Sequence, residues 1–399
     1  MKECINVRPI KLVIPGLIGL SVLVNPVVSV SAPINDAIVG GKAKVDVRLR
    51  TELVDQEGMD DSANATTLRT RIGYQSGSYK GVGGFFEFEN TTALIDDYST
   101  QSFKTGQYPV VADPEGTEVN QAYLSYSQKD LVSAKLGRQR IIFDGARFVG
   151  NVGWRQNEQT YDGALISIGA IPKSSLKYAY LTKINNIFGK QVDFKTHLLN
   201  YSFKGIKNVK IGAYAYMLDF DTGSDSKTLG VNVDGKLSAG EKMKVLYHVE
   251  LAQMSDYADA DSGDTANYYN IEAGLKAWGL VTKLGYEVLG GDGTTSFQTP
   301  LATKHKFNGW ADKFLSTPAD GLTDTYITVV KKVMGAKVVA TYHNYSSDHG
   351  SKSYGSEIDL LIAKKFAKIY SGGVKYANYM ADDHSVDTSK IWLWAGISF

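Results

Sequence analysis

Cysteine occurs once in the 399 residues, as Cys4, and proline only 9 times. A lone thiol excludes a disulfide framework, and this one lies in a segment expected to be removed from the mature chain. After Ala32 no run approaches the ~20 consecutive apolar residues of a membrane-spanning helix. An excess of one charge is missing too: 43 Lys and Arg face 42 Asp and Glu. Without a basic or acidic bulk field, no nucleic-acid partner is expected. Catalytic signatures are equally scarce. There is no HExxH, no serine in a nucleophile elbow and no glycine-rich phosphate loop after a strand. His197, His248, His305, His343, His349 and His384 are scattered, and His248 with Glu250 is the nearest approach to an acid–base dyad. The stretch Asp256, Asp259, Asp261 and Asp264 lacks the glycine and terminal glutamate of an EF-hand loop, so it reads as a solvated acidic loop. The expectation is therefore no enzyme, no cofactor and no metal.

What is present points to export. Lys2, Arg8 and Lys11 precede an apolar stretch, Leu12 to Val24, and small residues follow from Val28 to Ala32. This is the layout of a secretion signal, with cleavage favoured after Ser31 because Pro33 makes a poor first mature residue. The domain reading is a signal over 1–31 and one unit over 32–399, with no room for a plug domain ahead of Lys44. Glycine (40) and tyrosine (24) are plentiful, which suits twisted strands, tight turns and aromatic girdles.

Alternation specifies the strands. Val45, Val47, Leu49 and Leu53 alternate with Lys44, Asp46, Arg48, Arg50 and Glu52. Leu68, Ile72 and Tyr74 alternate with Arg69, Arg71 and Gln75, and Val82, Phe86 and Phe88 with Glu87 and Glu89. A strand between hydrocarbon and water must read this way. Similar segments recur at 209–217, 229–234, 245–252, 269–277, 280–288, 337–345 and 356–363. Short connections (77–79, 128–131, 204–207, 238–242) would be periplasmic, and long ones (54–65, 90–117, 142–157, 255–266, 290–322) extracellular. The strand at 159–169 is ambiguous, because Asp162 shares a face with Ala164, Ile166 and Ile168. The last strand places Ile391, Leu393, Ala395, Ile397 and the terminal Phe399 on one face, the mark that barrel-assembly machinery reads. The fold expected is all-β: a transmembrane antiparallel β-barrel of about 18 strands with short periplasmic turns and long extracellular loops.

Two segments go further. Residues 137–159 read GRQRIIFDGARFVGNVGWRQNEQ and run into Thr160-Tyr-Asp-Gly-Ala164; residues 297–315 read FQTPLATKHKFNGWADKFL and precede Gly321-Leu-Thr-Asp-Thr325. Both closely resemble segments of the alginate-export family of outer-membrane proteins, and the resemblance extends over most of residues 40–399. It implies an eighteen-stranded barrel. The best-known member passes an anionic polysaccharide out of the cell; many relatives have no known alginate role, so the family name fixes neither solute nor direction.

Every arginine after the signal lies between Arg48 and Arg155. Arg48, Arg50, Arg69 and Arg71 should project from two neighbouring strands into lumenal water, offering planar forks to anions. Glu87 and Glu89 should face them from the third strand; the competing reading is that these acids and arginines simply brace the wall. Loop 142–157, with Arg147, Trp154 and Arg155, should pack on or into the mouth. Loop 290–322, with Lys304, His305, Lys306, Phe307, Trp310 and Phe314, should cover or narrow it, its aromatics either stacking on sugar rings or packing against the rim. The whole reads as a monomeric bacterial outer-membrane channel (a porin) for small, anionic or saccharide solutes. The alternative is a dedicated exporter of an anionic polysaccharide such as alginate. Expected partners are outer-membrane lipid and lipopolysaccharide, the solute or polysaccharide in the lumen, and the barrel-assembly machinery.

Overall fold

The computed structural model describes residues 32–100, 102–221 and 225–399; the expected signal and its cleavage point lie outside them. A short helix, α1 (Ala32–Val39), leads into eighteen strands. The first nine are β1 (Lys42–Gln56), β2 (Ala63–Gln75), β3 (Val82–Asp97), β4 (Gly116–Gln128), β5 (Val132–Gln139), β6 (Thr160–Ile168), β7 (Ser174–Asn185), β8 (Gln191–Phe203) and β9 (Val209–Leu218). The rest are β10 (Ser226–Ser238), β11 (Met243–Ser255), β12 (Thr265–Ala277), β13 (Leu280–Leu289), β14 (Leu322–Val333), β15 (Ala336–Ser346), β16 (Ser353–Phe366), β17 (Tyr370–Ala381) and β18 (Thr388–Ser398).

Each strand pairs antiparallel with its sequence neighbours, and β1 closes the sheet on β18 in register from Asp46↔Ser398 to Gln56↔Thr388. The ladder continues one residue further, since Val45 and Phe399 exchange backbone bonds of 2.8 and 2.9 Å. Closure leaves no edge strand and satisfies the backbone without water, the condition for crossing a bilayer with strands. No helix among the described residues is long and apolar enough to cross a membrane.

The two faces obey different solvents. Leu49, Ile72, Phe88, Leu124, Leu136, Leu284 and Leu393 point outward and are 41–64% exposed. In water such a belt would be an aggregation surface; in hydrocarbon it is required. Asp162 shares that outward face at the upper end of β6, where Arg138 grips both its oxygens at 2.8 and 3.1 Å and Asn185 adds a bond of 3.0 Å.

Loop boundaries shift from the expectation. The connection expected over 54–65 is only 57–62, because Val54, Ala63 and Ala65 continue the alternation inward and pack on Tyr98 and Val111. Likewise β3 runs on to Asp97, leaving 98–115, and the other long loops span 140–159, 256–264 and 290–321. Tyrosine also has a second role. Besides outward residues such as Tyr74 and Tyr286, a set formed by Tyr161, Tyr214, Tyr216, Tyr268, Tyr345 and Tyr379 is buried on the lumenal face. A wall that meets apolar loop side chains but must satisfy polar tips favours a ring bearing a hydroxyl.

Candidate functional site in the barrel lumen

Loops 140–159 and 290–321 fold into the barrel and hold one another there. Gly150 N–H donates to Leu301 O at 2.8 Å and Thr303 N–H to Ala146 O at 3.0 Å. Phe143, Phe148, Val149, Phe297, Leu301 and Phe314 form an apolar core against the tyrosines of the wall and Trp392. The aromatics of loop 290–321 thus pack the loop inward: Phe314 stacks on His384 at 4.9 Å and tilts against Tyr345 at 4.5 Å.

Charge fixes the loops as firmly as packing does. Arg147 donates to Glu287 at 2.7 Å and to Asn308 at 3.1 Å. Arg155 donates to Glu52 at 2.9 Å and to Asp312 at 2.8 Å, tying β1, loop 140–159 and loop 290–321 together. Burial opposes both guanidinium charges, but Glu287 for Arg147, and Glu52 with Asp312 for Arg155, outweigh it and hold them above their ordinary value. Glu158 is buried too, yet Arg71 and Arg140 draw its carboxyl down to about 2. At the centre, His305 lies between Asp312 (Nδ1–Oδ1 2.6 Å) and Lys375 (Nε2–Nζ 2.7 Å), and the Trp154 indole stacks on it at 5.5 Å. An imidazole that donates from Nδ1 and accepts from an ammonium at Nε2 is neutral, and burial drives His305 down to about 3. Lys375 is caged by aromatic faces, with its ammonium 3.8 Å from the centre of Trp310 and 4.6 Å from that of Trp154. Of the other two basic residues in the turn, Lys304 is half-buried and Lys306 is exposed, donating to Gly145 O at 2.6 Å.

The four arginines do lie on one inward patch, Arg48 facing Arg69 across the β1–β2 ladder. They do not stand free in water. Arg50 is wholly enclosed, bonded to Asp113 and to the carbonyl of Trp154, with Glu52 at 3.6 Å. Arg69 is paired with Asp46, and Arg71 with Glu89 and, at 3.4 Å, Glu158. Loops 98–115 and 140–159 cover what the strands alone would have left open. Arg48 differs: it is half-buried, has no ion-pair carboxylate among the described residues, and bonds to Gln156 Oε1 (2.9 Å) and the carbonyls of Trp154 (2.9 Å) and Arg155 (2.7 Å). Glu87 and Glu89 face inward as expected but are buried, Glu87 bonded to Asn120 (2.8 Å) and Gln121 (3.1 Å).

Below this patch lies a cavity of about 520 Å³ lined by Lys44, Arg71, Lys135 and Arg140 against Asp46 and Glu87, with Phe85, Tyr123 and the terminal Phe399 completing it. Lys135 sits 4.4 Å above the Tyr123 ring and Lys44 5.0 Å above that of Phe85. Sequence reasoning missed Asp113, Arg140, Glu158, Asp312 and Lys375, which have partners on distant strands or other loops as well as, for Arg140, Glu158 and Asp312, within their own loop. Arg140, Glu158 and Asp312 carried a signal, as charges inside the two segments 137–159 and 297–315.

The His248–Glu250 pair forms as well. His248 Nδ1 meets Asp234 at 2.8 Å and Nε2 meets Glu250 at 3.5 Å, and among the described residues no histidine bonds a serine or threonine hydroxyl.

Known proteins agree with this architecture. Acinetobacter baumannii OccAB3 superposes with a TM-score of 0.71 at 12% identity over 91% of this chain and 100% of its own. Pseudomonas aeruginosa OpdQ gives 0.70 at 15% over 90% and 98%. OpdK of the same organism, in a crystal structure with vanillate, gives 0.70 at 13% over 90% and 98%. At these identities the likeness shows the fold alone. No curated protein matches the chain. The alginate-export profile matches residues 35–303, more than half of the chain. With its closed eighteen-stranded wall, the protein is therefore an outer-membrane β-barrel channel protein that belongs to the alginate-export family.

Proposed function

We propose that this barrel is a passive outer-membrane channel, and not an enzyme, for small solutes that are anionic or saccharide in character. The observation that carries the reading is the cavity beneath the loops: Arg71 and Arg140 are answered by Glu89 and Glu158, and Asp46 by Arg69, which leaves Lys44 and Lys135 against Glu87 beside two aromatic rings. An anion in a narrow, low-dielectric passage gains from such a surplus, and a ring-bearing solute finds flat apolar faces. Vanillate, seen with OpdK, is a small ring carboxylate of this kind. Arg48, free of any ion-pair carboxylate among the described residues, supplies a further donor fork at the level of Trp154.

The test is the reversal potential of the purified barrel in a planar bilayer under a salt gradient. The parent should prefer anions, and Arg48→Gln, which orphans no carboxylate, should move the potential toward cation preference at low salt. An unchanged potential would assign Arg48 to wall bracing. A parent that prefers cations would defeat the anionic reading. Family membership favours a second reading, a dedicated exporter of an anionic polysaccharide such as alginate. Such an exporter should stay silent in the bilayer until a partner or a loop movement opens it, whereas the channel proposed here conducts alone.

A further inference from the structure

The lower part of the lumen carries a second basic feature, on the wall opposite the arginines. Each of the eight consecutive strands from β9 to β16 places one lysine inward, within four residues of its periplasmic end. On β11 and β12, Lys244 and Lys276 stand directly opposite each other in the ladder. On β14 and β15, Lys332 and Lys337 do the same. Their inward direction follows from unbroken alternation: Lys244 has the parity of buried Glu250, Lys276 of Asn270, Lys332 of Asp324, and Lys337 of His343. No register shift interrupts these ladders between β11 and β15. Lys236 on β10 and Lys365 on β16 extend the row by the same rule.

Only the remaining two are neutralised. Lys283 on β13 bonds Glu272 at 2.7 Å, and Lys210 on β9 bonds Asp144 at 2.6 Å. The other six are exposed and have no carboxylate in ion-pair range among the described residues. From above, Lys306 of loop 290–321 approaches the same surface; its side chain keeps contact with solvent, and partial desolvation, then Lys283 and Lys337, lower its ammonium from the ordinary value. Like charges directly opposite on paired strands destabilise a sheet, so two such pairs in succession are a cost that bracing does not explain. The far rim has the opposite sign: Glu57, Asp60 and Asp61 lie in one outer loop, Asp382, Asp383 and Asp387 in another.

We propose that this lysine collar is a separate binding site for small multivalent anions, those bearing two or more carboxylate or phosphate groups, and that it loads them from the periplasmic face. Opposed residues are ~4.5–5.5 Å apart at Cα and adjacent strands ~4.8 Å. One anion with several charged groups can therefore bridge two or more ammonium groups, while a monovalent anion relieves only one. The acidic outer rim repels the same species, so access is unequal from the two sides. This builds on the channel reading but concerns different residues.

Tripolyphosphate is the probe. Barrels in planar bilayers are oriented with a membrane-impermeant thiol reagent acting on Asp60→Cys, and chloride current is recorded with the probe on either side. Half-block should need at least about tenfold less probe from the periplasmic side, as expected for local concentration of a counter-ion by a charged mouth. Raising salt should erase the difference. The variant Lys244→Gln/Lys276→Gln/Lys332→Gln/Lys337→Gln, checked for heat-modifiable migration, should lose the sidedness, whereas Lys190→Gln, in the exposed outer loop 186–190, should keep it. Equal block from both sides, or a collar variant that blocks like the parent, overturns the proposal. If the barrel does not conduct, the channel reading fails, and calorimetric titration of the folded barrel in detergent then decides the collar. Tripolyphosphate should bind the parent and not the collar variant, and equal affinities would sink the proposal.

Discussion

His305 shows how much one side chain depends on its neighbours. Its ordinary value is about 6.5, and burial takes it to about 3 in the docked loop. The groups facing it are Asp312 on its own loop, Arg155 on loop 140–159 and Lys375 on β17. Because the docked imidazole refuses a proton that the released one accepts, docking is fully stable above about pH 6.5 and weakens as pH falls toward 3. Hydrogen exchange over residues 301–314 should accelerate through that window, and His305→Gln should flatten the dependence. The arginines divide in the same local way. Removing Arg50 strands Asp113 in a buried site and should cost about 3–5 kcal/mol, read as a lower unfolding midpoint, while Arg48→Gln, which loses hydrogen bonds but orphans no carboxylate, should lower it by less. Gly309 (φ +85°) lets the loop backbone pass Glu357 and Tyr345, where a Cβ would collide with both side chains. Gly309→Ala should therefore free the loop to proteolysis.

At the scale of an element, the strands were legible and the loops were not. Alternation places Val47 and Leu393 in lipid and Arg48 and Trp394 inside, and the structure agrees, with Leu393 51% exposed on the outer face and Trp392 wholly buried on the inner. Cysteine at Arg48 or Trp394 should label with a water-soluble thiol reagent and cysteine at Val47 or Leu393 should not; equal labelling of both members would defeat the register. A cysteine at Trp392, enclosed under loop 290–321, should label only once that loop is released. Phe399 closes the ladder on Val45, so its deletion should lower the yield of heat-modifiable barrel without stopping export across the inner membrane. The sequence places the loop over 142–157 on or into the mouth, because it is too long for a tight turn and too apolar for a solvated loop. Its true depth depends on Glu52 and Glu287, contributed by β1 and β13, and no local pattern announces partners so far away in sequence.

For the molecule as a whole, the barrel is held by hydrocarbon outside and by loop packing inside. A charge placed at Val47 or Leu393 should destabilise by roughly 2–4 kcal/mol if it lies near the bilayer midplane, measured by denaturant unfolding in lipid vesicles. The charge of the pore is segregated along its axis, with lysines at the periplasmic end and aspartates on the outer loops. A net charge of +1 conceals this. The lysines of strands β9 to β16 read in the sequence as ordinary polar positions beside turns. Only strand order shows that they form one continuous row.

By itself the sequence determined the wall: about eighteen alternating strands, a last strand ending on an outward aromatic, and the inward parity of the arginines. Those follow from a two-residue period set against two solvents, which any strand reports locally. Tertiary structure decided what occupies the inside. Whether Arg50 meets water or Asp113, whether His305 is charged, and whether six lysines act singly or together depend on which loop folds onto which strand. That is settled by side-chain hydrogen bonds across as many as 257 residues, as between Lys313 and Gln56, where burial and pairing energies outweigh anything a neighbouring residue contributes.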